Sequence, residues 1–111
     1  METVYSEEEP SRAEVDAMPG AVLVEFGADW CPYCQAIQSH LRSALVKHPD
    51  VRHIKVADGK GKPLGRSFRV KLWPNLVFMR DGQVVQQSAR PGPDEVEAGL
   101  AEISGPSSSQ P

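Results

Sequence analysis

This 111-residue sequence predicts an α/β fold, a central mixed β-sheet with helices on both faces, and three observations carry that reading. Ala21-Val22-Leu23-Val24-Glu25-Phe26 is nearly continuous apolar, which suits a central strand buried on both faces. Ile37, Leu41, Ala44 and Leu45 then recur at helical spacing, so the strand leads into a long amphipathic helix. Further on, Leu76-Val77-Phe78-Met79 and Gln83-Val84-Val85-Gln86 flank Asp81-Gly82, the turn dipeptide of a tight hairpin. The order along the chain is β-α-β-α-β-α-β-β-α, with no internal repeats.

Each element has its own local signal. Thr3-Val4-Tyr5 reads as a short first strand. The helix after it has two candidate N-terminal signals, Ser6 with Glu9 three residues on, or Pro10-Ser11, and Met18-Pro19-Gly20 stops it. The strand Ala21 to Phe26 comes next. The long helix runs from about Cys31 to Lys47 and ends at His48-Pro49-Asp50. Val51 to Val56 alternates as a strand, with Val51, Ile54 and Val56 inward. Asp58-Gly59-Lys60-Gly61-Lys62 is a turn, and Pro63 to Val70 reads as a short helix carrying Leu64 and Phe68. After the hairpin, Pro93 to Ile103 forms a last amphipathic helix with Val96, Leu100 and Ile103 on one face. A single domain over 1–103 is followed by a Ser- and Pro-rich stretch, 104–111, that reads as a disordered tail.

Composition narrows the function classes. A net charge of −3 provides no overall attraction to nucleic acid, so no nucleic-acid partner is expected. The charge is uneven: Glu2, Glu7, Glu8, Glu9, Glu14 and Asp16 crowd the N-terminus, and Arg52, Lys55, Lys60, Lys62, Arg66, Arg69 and Lys71 crowd one later stretch. Such runs are either solvated faces or surfaces that steer acidic partners. The acidic N-terminus lacks the apolar core of a secretory signal, and no stretch approaches the length of a membrane span. The chain therefore reads as a cytoplasmic protein without a membrane partner. Two cysteines in a reducing compartment point to catalysis or metal binding rather than to a structural staple.

Those cysteines lie in Trp30-Cys31-Pro32-Tyr33-Cys34, directly after the apolar strand. A strand, a short turn and a helix opening on Cys-x-x-Cys is the arrangement a dithiol redox site needs. The first sulfur lies at the positive end of the helix, where unpaired N–H groups and the macrodipole favour negative charge. The second lies one turn on, within bonding reach of the first. Pro32 fits the first helical turn, where its missing N–H costs nothing. Glu25 is a carboxylate in an apolar strand, so it is paired, raised in pKa, or snorkelling to the sheet edge.

The chain resembles the thioredoxins over roughly Val4 to Ile103. Val22-Leu23-Val24-Glu25-Phe26-Gly27-Ala28-Asp29-Trp30-Cys31 is similar to the family's strand and approach to the active site. Leu72-Trp73-Pro74-Asn75-Leu76-Val77-Phe78, followed by Asp81-Gly82, is similar to its proline-led strand and hairpin. The resemblance implies that Cys31 is the exposed attacking thiolate and Cys34 the resolving thiol. It implies a cis Pro74 that packs beside the cysteine pair and lets an extended substrate pair with the backbone of the preceding residue. It also implies that Glu25, where the family usually has an aspartate, accepts the proton of Cys34. With the charge removed, Glu25→Gln is expected to stabilise the fold.

Departures from the family pattern are equally specific. Pro32-Tyr33 is the dipeptide of dithiol glutaredoxins, and the Tyr33 N–H is available to the Cys31 sulfur. Gln35 stands where the family often has a lysine, and the lysine usually beside the buried carboxylate maps to His53. Trp73 replaces a small or β-branched residue before the proline, as a substrate platform or a lid. Arg90 falls near a glycine that normally lets substrate backbone approach, and either binds an acidic substrate group, narrows the groove, or is a solvated loop residue. Substrate contact is thereby assigned to Trp30, Pro32, Tyr33, Trp73, Pro74 and Arg90.

The function implied is thiol–disulfide exchange with protein substrates, by a monomer that needs no cofactor because the cysteines carry the electrons. A flavoprotein reductase is the implied electron donor. Three alternatives stand beside it. A glutathione-linked, glutaredoxin-like activity suits Cys-Pro-Tyr-Cys, but no Gly-Gly-x-Asp segment follows the proline-led strand and no Thr-Val precedes Pro74. A metal or iron–sulfur site would need two chains, each donating Cys31 and Cys34. A folding adaptor would have no use for the intact cysteine pair.

Overall fold

The computed structural model describes residues 3–105. Its elements are α1 (Arg12–Asp16), β1 (Ala21–Gly27), α2 (Pro32–Val46), β2 (Arg52–Ala57), α3 (Pro63–Ser67), β3 (Asn75–Arg80), β4 (Gln83–Ala89) and α4 (Pro93–Ile103). The strands form one mixed sheet in the order β2-β1-β3-β4, with β1 parallel to β2 and antiparallel to β3. Every residue of β1 is buried, as expected of a central strand covered on both faces.

Side-chain alternation along β1 divides the interior in two. Ala21 and Leu23 join Leu76 and Phe78 under α2 and α4, which contribute Ile37, Leu41, Val96 and Leu100. Val22, Val24 and Phe26 face the other way, onto Val15 of α1 and onto Leu64 and Phe68 at α3. Each such leucine or phenylalanine, fully removed from water, contributes about 1.5–3 kcal/mol. Gly99 lets α4 lie on the sheet: a Cβ there would fall 2.5 Å from the Phe78 ring. Glu25 belongs to the Leu23 face, so the alternation that builds the core also sends this carboxylate beneath α2.

Local signals explain most boundaries. α1 is capped by Ser11, whose hydroxyl accepts the Glu14 N–H while the Glu14 carboxylate accepts the Ser11 N–H, so the second of the two candidate starts is the one used. The hairpin turns at Asp81 and Gly82, both with positive φ (50° and 79°), as a two-residue turn requires. Its strands run further than the apolar pattern indicated, to Ala89, past a register shift between Phe78 and Met79.

The first strand is the element the local pattern overstated. Only Ser6 meets the sheet, in a single parallel bridge to Val56, with Ser6 N–H on Lys55 O (3.0 Å) and Ala57 N–H on Ser6 O (2.8 Å). The Tyr5 N–H donates instead to the Asp29 carboxylate at 3.1 Å, and Glu7, Glu8 and Glu9 then lead to Pro10, away from the ladder. At the other end, Ser104 and Gly105 are tied to Asp50, by hydroxyl and backbone N–H at 2.8 and 3.1 Å. The rest of the segment read as a tail, 106–111, lies outside the described residues. Among the described residues no helix is long and apolar enough to cross a membrane.

Candidate active site

The β1–α2 turn places both cysteines at the start of α2. Cys31 is the N-cap, in extended conformation, with Pro32 in the first turn, where no N–H is needed. The Cys31 sulfur accepts the Cys34 backbone N–H at 3.3 Å. That donor, one turn along, is the one that reaches the sulfur, in place of the Tyr33 N–H expected from the dipeptide. Gln35, at the position where the family often has a lysine, donates to Asp29 O at 2.8 Å and braces the turn.

Neither sulfur is broadly exposed. Cys31 is 4% and Cys34 1% accessible, so the expectation of an exposed Cys31 is corrected. Trp73 packs against the cluster of Tyr5, Ala28, Cys31, Cys34 and Ala57 and accounts for part of that cover. The two thiols differ in environment. Burial pushes the Cys34 thiol up to about 12, and the neighbouring Cys31 sulfur adds to the effect.

Beneath Cys34 lies Glu25, fully inaccessible, so it does not snorkel to the sheet edge. Its Oε1 meets His53 Nε2 at 2.8 Å, and its Oε2 accepts from the Tyr5 hydroxyl and from Gln38 Nε2, the latter at 3.0 Å. Burial alone would raise this carboxyl, but the hydrogen bonds from His53, Tyr5 and Gln38, with the attraction of His53, outweigh it and hold Glu25 below the usual carboxylate range. Of the readings the sequence left open, pairing is the one realised. Gln38 also accepts from Lys55 Nζ at 2.8 Å, so the lysine stands one step behind the carboxylate.

Above the cysteines, five of the six residues expected to meet substrate, Trp30, Pro32, Tyr33, Trp73 and Arg90, line a cleft of about 340 Å³ together with Leu72 and Cys31, and Pro74 is not part of its wall. Trp30 and Tyr33 are exposed, and the Trp30 and Trp73 rings meet edge to face with centroids 5.7 Å apart. Trp73 is fixed by its Nε1–H, which donates to Asp58 Oδ2 at 2.9 Å. The Trp73–Pro74 bond is cis, as the resemblance implied. Arg90 is exposed but held in place: its Nε donates to Trp73 O and its backbone N–H to Pro74 O, both at 2.8 Å. Its guanidinium lies 3.8 Å from the centroid of Tyr33. The Trp73 carbonyl, expected to pair with substrate, is thus already occupied by Arg90.

Sequence reasoning missed Tyr5, Gln38, Lys55 and Asp58. Gln38 had a usable signal, since it follows Cys34 by four residues and shares its helix face. Lys55 had none locally, because it becomes the neighbour of Glu25 only through the β1–β2 register. Among the described residues, no group of three or more His, Cys, Asp or Glu side chains comes together as a metal site.

Comparison with known proteins agrees with this geometry. The thioredoxin family model matches residues 2–102. The structure of thioredoxin 2 from Pseudomonas aeruginosa PAO1, in its reduced form, is similar over 92% of this chain and 99% of that one, at 48% identity and a TM-score of 0.78. Mitochondrial thioredoxin-3 of Saccharomyces cerevisiae is 27% identical over 82 residues, and a chloroplastic thioredoxin-like 2-2 of Arabidopsis thaliana 36% identical over 86 residues. The matches cover 74% and 76% of this chain but 65% and 36% of those two proteins.

Proposed function

The chain belongs to the thioredoxin family, and from that premise we propose that it is a thiol–disulfide oxidoreductase acting on protein disulfides through Cys31 and Cys34. The observation that carries the reading is the asymmetry of the two sulfurs. Cys31 caps the helix and takes the Cys34 N–H, whereas Cys34 lies deeper with its proton held to about 12.

Reaction follows that asymmetry. The Cys31 thiolate attacks a substrate disulfide, one substrate sulfur leaves as a thiolate, and a Cys31–substrate mixed disulfide forms. Cys34 then loses its proton and attacks the Cys31 sulfur, the second substrate sulfur departs, and the Cys31–Cys34 disulfide remains. Two electrons have passed from the protein to the substrate, and no cofactor takes part. Before attack, the helix-end donor supports negative charge on Cys31. The rings of Trp30, Tyr33 and Trp73 offer an apolar surface to the chain that carries the disulfide.

The electron donor in this reading is a flavoprotein reductase, working on a monomer. Turnover with a protein disulfide such as insulin, driven either by thioredoxin reductase and NADPH or by glutathione, tests both points. The expected result is turnover with the reductase, lost in Cys31→Ser. Turnover with glutathione alone would instead support the glutaredoxin-like alternative that the Pro32-Tyr33 dipeptide raises.

A further inference from the structure

We propose that Tyr5 is the proton relay between Cys34 and Glu25, its phenol oxygen taking the thiol proton of Cys34 as its own hydroxyl proton passes to the carboxylate. This rests on the dithiol reading above, and adds to it a residue that lies outside both sequence motifs.

The geometry comes from three elements. The Tyr5 side chain is buried beside the cysteine pair, and its hydroxyl donates to Glu25 Oε2. Gly27 ends β1 directly beside both partners: a Cβ there would fall 2.6 Å from the Cys34 sulfur and 2.8 Å from both the Cζ and the hydroxyl oxygen of Tyr5. The sulfur and the phenol therefore crowd one point, and the lack of a side chain at residue 27 is what leaves the room. Tyr5 is positioned by its N–H on Asp29 Oδ1 at 3.1 Å and by Lys55 Nζ, 4.6 Å from its ring centroid.

Other groups around the carboxylate are already committed. His53 holds Oε1, and Gln38 shares Oε2 but passes its own oxygen to Lys55. The phenol is the group that both bonds Glu25 and crowds the Cys34 sulfur at Gly27. The titratable and charged groups that face this pair are Cys31 from the turn, His53 and Lys55 from β2, and Asp29 at the Tyr5 backbone. Burial, the Glu25 carboxylate and the neighbouring Cys34 push the phenol far above its ordinary range, so it does not ionise by itself.

Protons and electrons balance along this path. Cys34–SH, Tyr5–OH and Glu25–COO⁻ become Cys34–S⁻, Tyr5–OH and Glu25–COOH, with one hydrogen moved from sulfur to the phenol oxygen and one from the phenol to the carboxylate. The electron pair left on Cys34 forms the bond to the Cys31 sulfur as the bond from Cys31 to substrate breaks. The substrate sulfur carries the charge away. Because Cys34 holds its proton tightly and Glu25 is readily ionised, proton transfer is uphill by itself and proceeds with formation of the S–S bond. When the phenol points at a sulfur anion it donates to it, and so stabilises the attacking form.

Tyr5→Phe keeps the ring and removes the relay. With a preformed mixed disulfide on Cys31, release of substrate is expected to slow at least about tenfold, while the first attack by Cys31 is unchanged. Glu25→Gln should slow release too, and the Tyr5→Phe/Glu25→Gln double variant should be no slower than the slower single variant, since both break one path. A second measurement needs no disulfide substrate and so stands apart from the oxidoreductase reading. In Cys31→Ser, alkylation of Cys34 at about pH 9 should fall about tenfold on adding Tyr5→Phe, because the thiolate loses its donor. A purely structural loosening would instead expose Cys34 and speed alkylation. Unchanged or faster alkylation, an unchanged release rate, or slowings that multiply in the double variant would each overturn the relay.

Discussion

Arg90 lays its guanidinium 3.8 Å from the centroid of the Tyr33 ring, joining the turn after β4 to the dipeptide between the two cysteines. It does so with φ of 51°, in the left-handed region where a side chain is disfavoured, and with its Nε on the carbonyl of Trp73. One residue therefore restrains the exposed ring beside Cys31 and covers the backbone before Pro74.

Arg90→Gly is expected to change substrate use more than stability. Relief of the left-handed backbone contributes about 1–2 kcal/mol, and loss of the exposed cation–π contact and of the Nε hydrogen bond to Trp73 O together costs about 1–2.5 kcal/mol, so gain and loss nearly cancel. The Trp73 carbonyl becomes available to substrate, and KM for a protein disulfide should fall severalfold at similar kcat. A melting temperature within a few degrees of the parent, with unchanged KM, would leave Arg90 without a part in substrate access.

Cys34→Ser should trap substrate on Cys31 as a stable mixed disulfide, visible as a non-reducing gel adduct that dithiothreitol releases. Cys31→Ser should give neither turnover nor adduct, because only Cys31 starts the exchange. Near-normal turnover of Cys34→Ser with a protein disulfide and no glutathione would refute the dithiol path.

Limiting iodoacetamide near pH 7 should label Cys31 well before Cys34. Accessibility does not decide this, since both sulfurs are buried; the proton on Cys34, held to about 12, does. The Cys34 label should appear in the fully reduced protein only as pH rises towards that value. Peptide mapping by mass spectrometry reads the order directly, and equal labelling at neutral pH would contradict it.

Glu25→Gln should destabilise the protein at neutral pH by about 1–3 kcal/mol, reversing the gain expected from the sequence. The carboxylate accepts three hydrogen bonds, from His53, Tyr5 and Gln38, and a glutamine amide can only present an NH₂ donor to some of those donors. The sign with pH follows. Glu25 has a lower pKa folded than unfolded, so its stabilisation is complete above the unfolded value of about 4.3 and is lost as pH falls through the folded value. Urea midpoints measured from pH 7 down to pH 3 should thus fall for the parent and converge on those of Glu25→Gln. Parallel curves would mean that Glu25 titrates alike in both states.

Much of the molecule was legible because its signals are local. The apolar run to Phe26, the Asp81-Gly82 turn, the helix from Pro93 and the Cys31–Cys34 spacing each act over a few residues, where backbone preference and hydrophobic period dominate. The sequence by itself therefore determined the mixed sheet, the helices on both faces and the dithiol at a helix start. It overstated Thr3-Val4-Tyr5, whose β pattern is real but whose backbone donor goes to Asp29 instead of the sheet.

Only the tertiary structure decided the environment of that dithiol. Tyr5 reaches Glu25 across 20 positions and Lys55 reaches Gln38 across 17, through strand register and the crossing of the N-terminal segment. Arg90 reaches Trp73 across 17 and closes a carbonyl that the sequence left open to substrate. Strand and helix formation depend on the order of neighbouring residues, but proton affinity and access depend on distances between groups that are remote in sequence. A carboxylate that looked costly to bury is ionised and satisfied, because folding brings three donors to it.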